Sequence, residues 1–366
     1  MSQLFRDFLK KIGSGVHTGK NLSREESAQA MVMMLEQTAT PAQIGAFLIA
    51  HRIKRPTAAE LAGILDAFDR LGPKLESVVV SPNQSLPNPP VMVMGHPYDG
   101  RSRTVPVAPI TALILATVGI PVIHHGGDRM PTKYGIPLID LWQGLGLPFA
   151  QLSLTQNQAL LQKSGLAFVY LPHHFKLALP LVEYRDQLGK RPPIASAELI
   201  WKPYQGNTHL IAGYVHPPSE ERFQETLTLR NQNRLTTIKG LEGSCDLPLS
   251  RTPIIGTGKG NLLENWERIL IHPAQYQLGT HDLAIESFEQ CLTEIKAAIA
   301  GKATALWDGV LLNGGFYLWH CGVAANLAAG LTLAEQLLTQ GQVAQKLAEI
   351  RENAIALLNV HEIAEI

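Results

Sequence analysis

The stretch Val91-Met92-Val93-Met94-Gly95-His96-Pro97-Tyr98-Asp99-Gly100-Arg101-Ser102-Arg103-Thr104 decides how the rest of the chain is read. An unbroken apolar run at its start, with no polar alternation, predicts a strand buried on both faces, as in a parallel sheet. A loop with two glycines, two arginines and two hydroxyls comes next, and residues 111–118 then form an apolar run of helical length. Residues 120–123 predict a second strand, ending in His124-His125-Gly126-Gly127-Asp128-Arg129-Met130-Pro131-Thr132-Lys133. Residues 138–145 read as helix, and residues 166–171, 211–215, 236–239 and 254–255 as further strands. Residues 284–300 and 333–348 read as helix again. Strands alternating with helices imply an α/β domain over residues 91–366, with a mostly parallel central sheet flanked by helices.

Upstream the pattern differs. Residues 1–75 read as a small all-α domain. Ser23 precedes Glu26, and Thr57 precedes Glu60, at capping-box spacing. Thr40-Pro41 opens another helix with proline at its first position. Phe5, Leu9, Met34 and Phe47 add more apolar surface than so small a unit is expected to bury alone, which points to a homodimer through residues 1–75. Residues 76–90, rich in Pro, Ser and Asn, read as a linker.

The composition excludes several classes. Of 366 residues, 45% are hydrophobic and 17% charged, so disorder and low complexity are excluded. Lys plus Arg and Asp plus Glu are 31 each, which argues against a uniformly basic coat but leaves room for a local basic groove. Cys245, Cys291 and Cys321 show no paired spacing, so a reduced, cytoplasmic chain is expected. Residues 1–20 carry no secretory apolar core, and the uncharged stretches 105–123 and 309–334 are interrupted by Pro, Gly or polar residues. Both stretches read as buried helices, with no membrane partner.

Ligands of parallel sheets sit beyond the carboxyl ends of the strands. There Gly95, Asp99, Gly100, Arg101, Arg103 and Thr104 are candidates for an anion site. On the neighbouring loop His125, Gly126, Arg129 and Lys133 would meet the same anion. Arg101, Arg103, Arg129 and Lys133 are expected to converge on one pocket. Adjacent strand residues point to opposite faces, so His124 and His125 cannot both face one site. His173-His174 and His216 read as hydrogen-bonded structural histidines at strand ends, and Gly256-Thr257-Gly258-Lys259-Gly260 as a flexible connector. No nucleophile motif is present, and no catalytic residue is assigned.

Residues 22–26, 39–50, 52–54 and 57–63 together resemble the helical domain of the anthranilate phosphoribosyltransferases. Gly213-Tyr214-Val215-His216-Pro217 and Val310-Leu311-Leu312-Asn313 resemble later parts of that family. The resemblance implies a dimerising helical domain, an α/β domain, and a cleft for phosphoribosyl diphosphate with magnesium as cofactor. It also makes His174, Arg185 and Arg191 candidates for contact with the acceptor.

The centre departs from the family pattern. The phosphate loop G-T-G-G-D-G is here Gly95-His96-Pro97-Tyr98-Asp99-Gly100, and N-x-S-T is Pro106-Val107-Ala108-Pro109. Proline has no N–H, and only glycine permits the closest backbone approach. The family's K-H-G-N-R is Gly126-Gly127-Asp128-Arg129 preceded by two histidines. Of the acidic pair that holds magnesium, Asp246 is the surviving candidate, with Glu242 close enough to compensate. These departures resemble a divergent branch of the family that includes a nucleic-acid-binding dimer. Two readings follow: a pentosyl transferase with a degenerate phosphoribosyl diphosphate site, or a non-enzymatic binder of single-stranded nucleic acid or another polyanion. The partner is accordingly a phosphorylated small molecule or a single-stranded nucleic acid.

Overall fold

A computed structural model describes residues 3–15, 17–78 and 88–364. Most of the linker expected over residues 76–90 therefore lies outside the described residues.

Four helices build the N-terminal unit: α1 (Gln3–Gly13), α2 (Arg24–Leu35), α3 (Pro41–Lys54) and α4 (Ala58–Leu71). The capping boxes at Ser23/Glu26, Thr40/Gln43 and Thr57/Glu60 are all formed, so local chemistry fixes where three of these helices start. Phe5, Met34 and Phe47 are buried within the chain itself. These three make no demand for a second copy, whereas Leu9 is half-buried and Leu4 and Ile53 are exposed.

The larger unit runs β1 (Val91–Gly95), α5 (Ala108–Thr117), β2 (Val122–Gly126), α6 (Leu138–Gly144), α7 (Leu154–Ser164), β3 (Leu166–Tyr170), α8 (Leu171–His174), α9 (Pro180–Leu188) and α10 (Ile194–Leu199). It continues with β4 (Thr208–Gly213), α11 (Pro217–Leu229), β5 (Arg234–Ile238), β6 (Ile254–Lys259), β7 (Trp266–Leu270), α12 (Phe288–Ile299), α13 (Trp307–His320), α14 (Leu327–Thr339) and α15 (Gln342–Ala364). The sheet order is β3-β2-β1-β4-β5-β6-β7, parallel through β5 and antiparallel at β6 and β7. Helices α5 and α13 cover one face, and the helical unit with α10 and α11 packs on the other, giving two apolar cores separated by the sheet.

One expectation changes, and two are filled in. Residues 256–259 belong to β6, paired with both β5 and β7, so the glycine-rich segment is sheet and not connector. The uncharged stretch 105–123 holds helix α5 and the start of β2. The stretch 309–334 spans α13 and α14, separated by a turn with Gly322 at φ 79°. No helix among the described residues is long and apolar enough to cross a membrane.

The strand order reverses between β1 and β4, so connections leaving these two strands diverge and open a crevice at their carboxyl ends. Gly95 ends β1 and Gly213 ends β4.

Candidate functional site

The loop after β1 is folded inward. A Cβ at Gly95 would lie 1.9 Å from the Leu199 carbonyl oxygen, and Gly100 has φ +74° with the Gly135 backbone 2.6 Å from any added Cβ. Packing against α10 and the 135–136 strap therefore accounts for these two glycines without a ligand. His96, Tyr98 and Asp99 are buried beneath them.

Arg101 is the centre of the site. Its buried guanidinium donates through Nη1 to Asp246 at 2.7 Å and to Ser244 Oγ at 2.8 Å, through Nε to Glu242 at 3.2 Å, and through Nη2 to the Thr104 hydroxyl. Glu242 receives the backbone N–H groups of Ser102 (3.1 Å), Arg103 (3.0 Å) and Thr104 (3.2 Å), and the Ser102 hydroxyl at 3.1 Å. Burial would raise the Glu242 pKa, but the charge of Arg101 and the N–H donors outweigh it and hold it at about 2. Asp246 also accepts from Val107 N at 3.2 Å at the start of α5, and burial raises its pKa despite Arg101.

The four cations do not all meet. Lys133 Nζ lies 3.6 Å from Glu242 and 3.7 Å from Asp99, and donates to the Gly100 carbonyl at 2.9 Å. Arg103, 77% exposed, has its Nε 3.8 Å from Glu242. Arg101, Arg103 and Lys133 thus converge on one carboxylate. Arg129 departs from the expectation: it points to Asp140, 3.8 Å away, because the loop after β2 turns toward α6.

Strand β2 runs on to Gly126, past its expected end at residue 123, and includes both histidines, which corrects their placement in a loop. His125 and Gly126 are buried, with His125 Nδ1 on the Tyr98 hydroxyl at 2.6 Å and its ring against Trp201. His124 faces the other side, against His96 and Trp142. Burial pulls both pKa values down to about 3, so neither supplies positive charge to an anion site. His174 is likewise no acceptor contact. Its Nδ1 accepts from Tyr170 N at 3.0 Å and its Nε2 donates to the Leu152 carbonyl at 2.8 Å. Arg185 is buried against Glu198 and Met130. Arg191 alone of the acceptor set lines an open cleft.

That cleft, about 620 Å³, lies between the α3–α4 connection, the 191–199 segment and the end of β4. Among the described residues it presents Arg52, Arg55, Arg191 and Arg222 and no carboxylate. A second cleft of about 360 Å³ presents Arg103, Lys239 and Arg251 beside Glu242 and Asp282. Val215 lines both. Arg52 and Arg55 lie in the basic run His51-Arg52-Ile53-Lys54-Arg55, whereas Arg222, Arg251 and Ser244 carried no sequence signal, since only the fold brings them to the crevice.

Both acids expected to hold magnesium are engaged by other groups. Glu242 has both oxygens engaged, and the single charge of Arg101 is shared between it and Asp246. Among the described residues no group of three or more His, Cys, Asp or Glu side chains is arranged to hold a metal ion.

Comparison with known proteins shows what the chain is similar to. Residues 6–72 match the helical bundle domain of a glycosyl transferase family. Anthranilate phosphoribosyltransferase from Acetivibrio thermocellus is 26% identical over 97% of this chain and 99% of its own length. The enzyme of that name from Listeria monocytogenes serotype 4a is 26% identical over 92% and 95%. Over nearly its whole length the chain is similar to anthranilate phosphoribosyltransferases. Solved structures with that name share its fold end to end. The Saccharomyces cerevisiae protein in complex with PRPP and Mg has a TM-score of 0.81 at 15% identity, covering 97% of this chain and 99% of its own. The Thermus thermophilus protein has a TM-score of 0.75 at 18% identity over 96% and 99%. Within that family fold, this chain fills the centre of its crevice with its own ion pairs.

Proposed function

We propose that this protein binds a phosphate-bearing ligand in a basic cleft that works without a divalent metal, and that phosphoribosyl transfer to anthranilate is very weak or absent. The observation that carries the reading is the buried Arg101 guanidinium between Asp246 and Glu242, where the family resemblance leads one to expect metal-holding acids. Transfer from phosphoribosyl diphosphate requires that the leaving diphosphate be held and its charge neutralised as the bond breaks. Here Pro97 and Pro106 remove backbone donors, Ala108 and Pro109 replace side-chain donors, and the acids are spent on an arginine.

The joined clefts favour an extended ligand. One presents four arginines and the other adds two arginines and a lysine, more positive charge than a single diphosphate needs. Single-stranded nucleic acid has the matching repeat of phosphates, and its binding should fall steeply with salt. Calorimetric titration separates the two sources of phosphate. Phosphoribosyl diphosphate with and without magnesium is compared with a single-stranded oligonucleotide at two salt concentrations. Salt-sensitive oligonucleotide binding supports the polymer, and magnesium-dependent binding of the diphosphate would overturn the metal-free reading. The homodimer rests on the family resemblance, and light scattering at micromolar concentration is expected to give twice the chain mass.

A further inference from the structure

We infer that the Arg101–Thr104 turn is a phosphate nest and that Glu242 is the chain's own competitor for it. This rests on the reading of the cleft as a phosphate site. Three successive backbone N–H groups, from Ser102, Arg103 and Thr104, converge on one carboxylate at 3.0–3.2 Å. Successive amides aimed at one point form an anion-binding concavity, the geometry that receives phosphate oxygens. The Ser102 hydroxyl and Arg101 Nε complete the cradle at 3.1 and 3.2 Å. Lys133 and Arg103 stand at 3.6 and 3.8 Å, within reach of a larger anion's third oxygen. The cradle opens on the smaller cleft, which Arg103, Thr104 and Glu242 themselves line.

Glu242 comes from a different loop and is held there at the expense of its backbone. Its φ is +54°, in the left-handed region that a non-glycine residue enters at a cost, between Gly240 and Gly243. A residue stays in such a conformation when its side chain is strongly bound, as this one is. The carboxylate matches the single charge and two free oxygens of a phosphodiester, so ligand phosphate reaches the nest only by displacing Glu242. Native chain therefore holds phosphate weakly at this point and relies on the outer cations.

The test is titration with inorganic pyrophosphate in EDTA at fixed ionic strength, on native chain, Glu242→Gly and Glu242→Asp. Glycine accepts the positive φ without strain, so this variant keeps the turn. The expected result is at least tenfold tighter binding by Glu242→Gly and a smaller gain for Glu242→Asp, whose shorter side chain draws back from the nest. Amide resonances of Ser102, Arg103 and Thr104 should shift with pyrophosphate in the variants and not in native chain. Equal affinity in all three proteins overturns the inference, and so does a gain that leaves those amides unmoved. If Glu242→Gly fails to fold, the Asp variant decides by the same two readings. A native chain that binds neither phosphoribosyl diphosphate nor oligonucleotide, beside a Gly variant that binds pyrophosphate at these amides, would refute the proposed function and leave the nest standing.

Discussion

Two buried glutamates, one in each unit, show how the same chemistry serves different ends. Glu60 receives Leu22 N at 2.9 Å, Thr57 N at 2.7 Å and Lys54 Nζ at 2.7 Å, with His51 Nε2 at 3.6 Å. Glu242 receives three backbone amides, a hydroxyl and Arg101. Both carboxyls are held at about 2. Glu60 binds the start of its own helix and ties α4 to the chain ahead of α2, all inside the helical unit. Glu242 bridges loops some 140 positions apart, beyond the carboxyl ends of the strands, where ligands of such sheets sit. The first is a structural hub, and the second sits in the proposed phosphate site.

The comparison breaks most clearly in catalysis. If Glu242 and its partners fill the site, transfer to anthranilate should be undetectable or nearly so. Each lost donor to a developing charge costs on the order of 3 kcal/mol, about a hundredfold in rate. Two such losses leave about a ten-thousandth of the rate, even though losses within one site need not add. Complementation of a tryptophan auxotroph lacking the standard enzyme checks this. Robust growth at ordinary expression would mean that Arg103, Lys239 and Arg251 rebuild the diphosphate site with side chains.

The next effect is on stability. Glu60→Ala leaves Lys54 and two backbone amides without their shared acceptor in a buried place, and breaking a buried pair from one side costs about 3–5 kcal/mol. Glu242→Gly removes an equally buried acceptor but relaxes a left-handed residue, so its cost should be clearly smaller. Urea denaturation of both variants ranks them. Equal losses would mean that strain at Glu242 contributes nothing.

The two glutamates were not equally legible. Thr57 and Glu60 are three residues apart, so the cap could be read from spacing alone, and the other helix starts of the N-terminal unit with it. The parallel strands were legible for a similar reason: a strand buried on both faces must be a continuous apolar run. Glu242 had no such signal, because its partners are distant in sequence. The histidines of β2 misled for the opposite reason. Polar residues after an apolar run suggested a loop, yet His124 and His125 continue the strand into the core. Lys54, at the end of α3, turns its amine back onto Glu60 and Asn21. Proximity in sequence decides what can be read from it. The ion pairs of the crevice are products of topology.

Acid sharpens the comparison further. Both glutamates have folded pKa values near 2, below the ordinary 4.5. A depressed carboxyl contributes stability that is fully present above the unfolded value and is lost as pH falls through the folded one. Stability should therefore decline from about pH 5 toward pH 2. Glu60→Gln and Glu242→Gln should each flatten part of that decline in thermal melts taken across the range. A native chain whose melting temperature does not move over this window would contradict the shared depression.

The smallest effect concerns buried polar atoms that have no partner among the described residues. Both ring nitrogens of His124 lack one, in contrast with either glutamate. The ring is fully buried on β2, between His96 at 5.1 Å and Trp142 at 5.9 Å, and burial keeps it neutral. An unpaired buried donor costs about 1–3 kcal/mol, and replacing it with an apolar ring of similar shape recovers that cost where the fit is good. The added volume of phenylalanine opposes the gain, since overpacking a full core is itself destabilising. His124→Phe is thus expected to be neutral or to raise stability by about 1 kcal/mol, with oligonucleotide or pyrophosphate binding unchanged. Thermal melting measures the first and titration the second. A loss of more than about 2 kcal/mol would mean that His124 is held by a hydrogen bond after all, and would place it with Glu60 among the structural hubs.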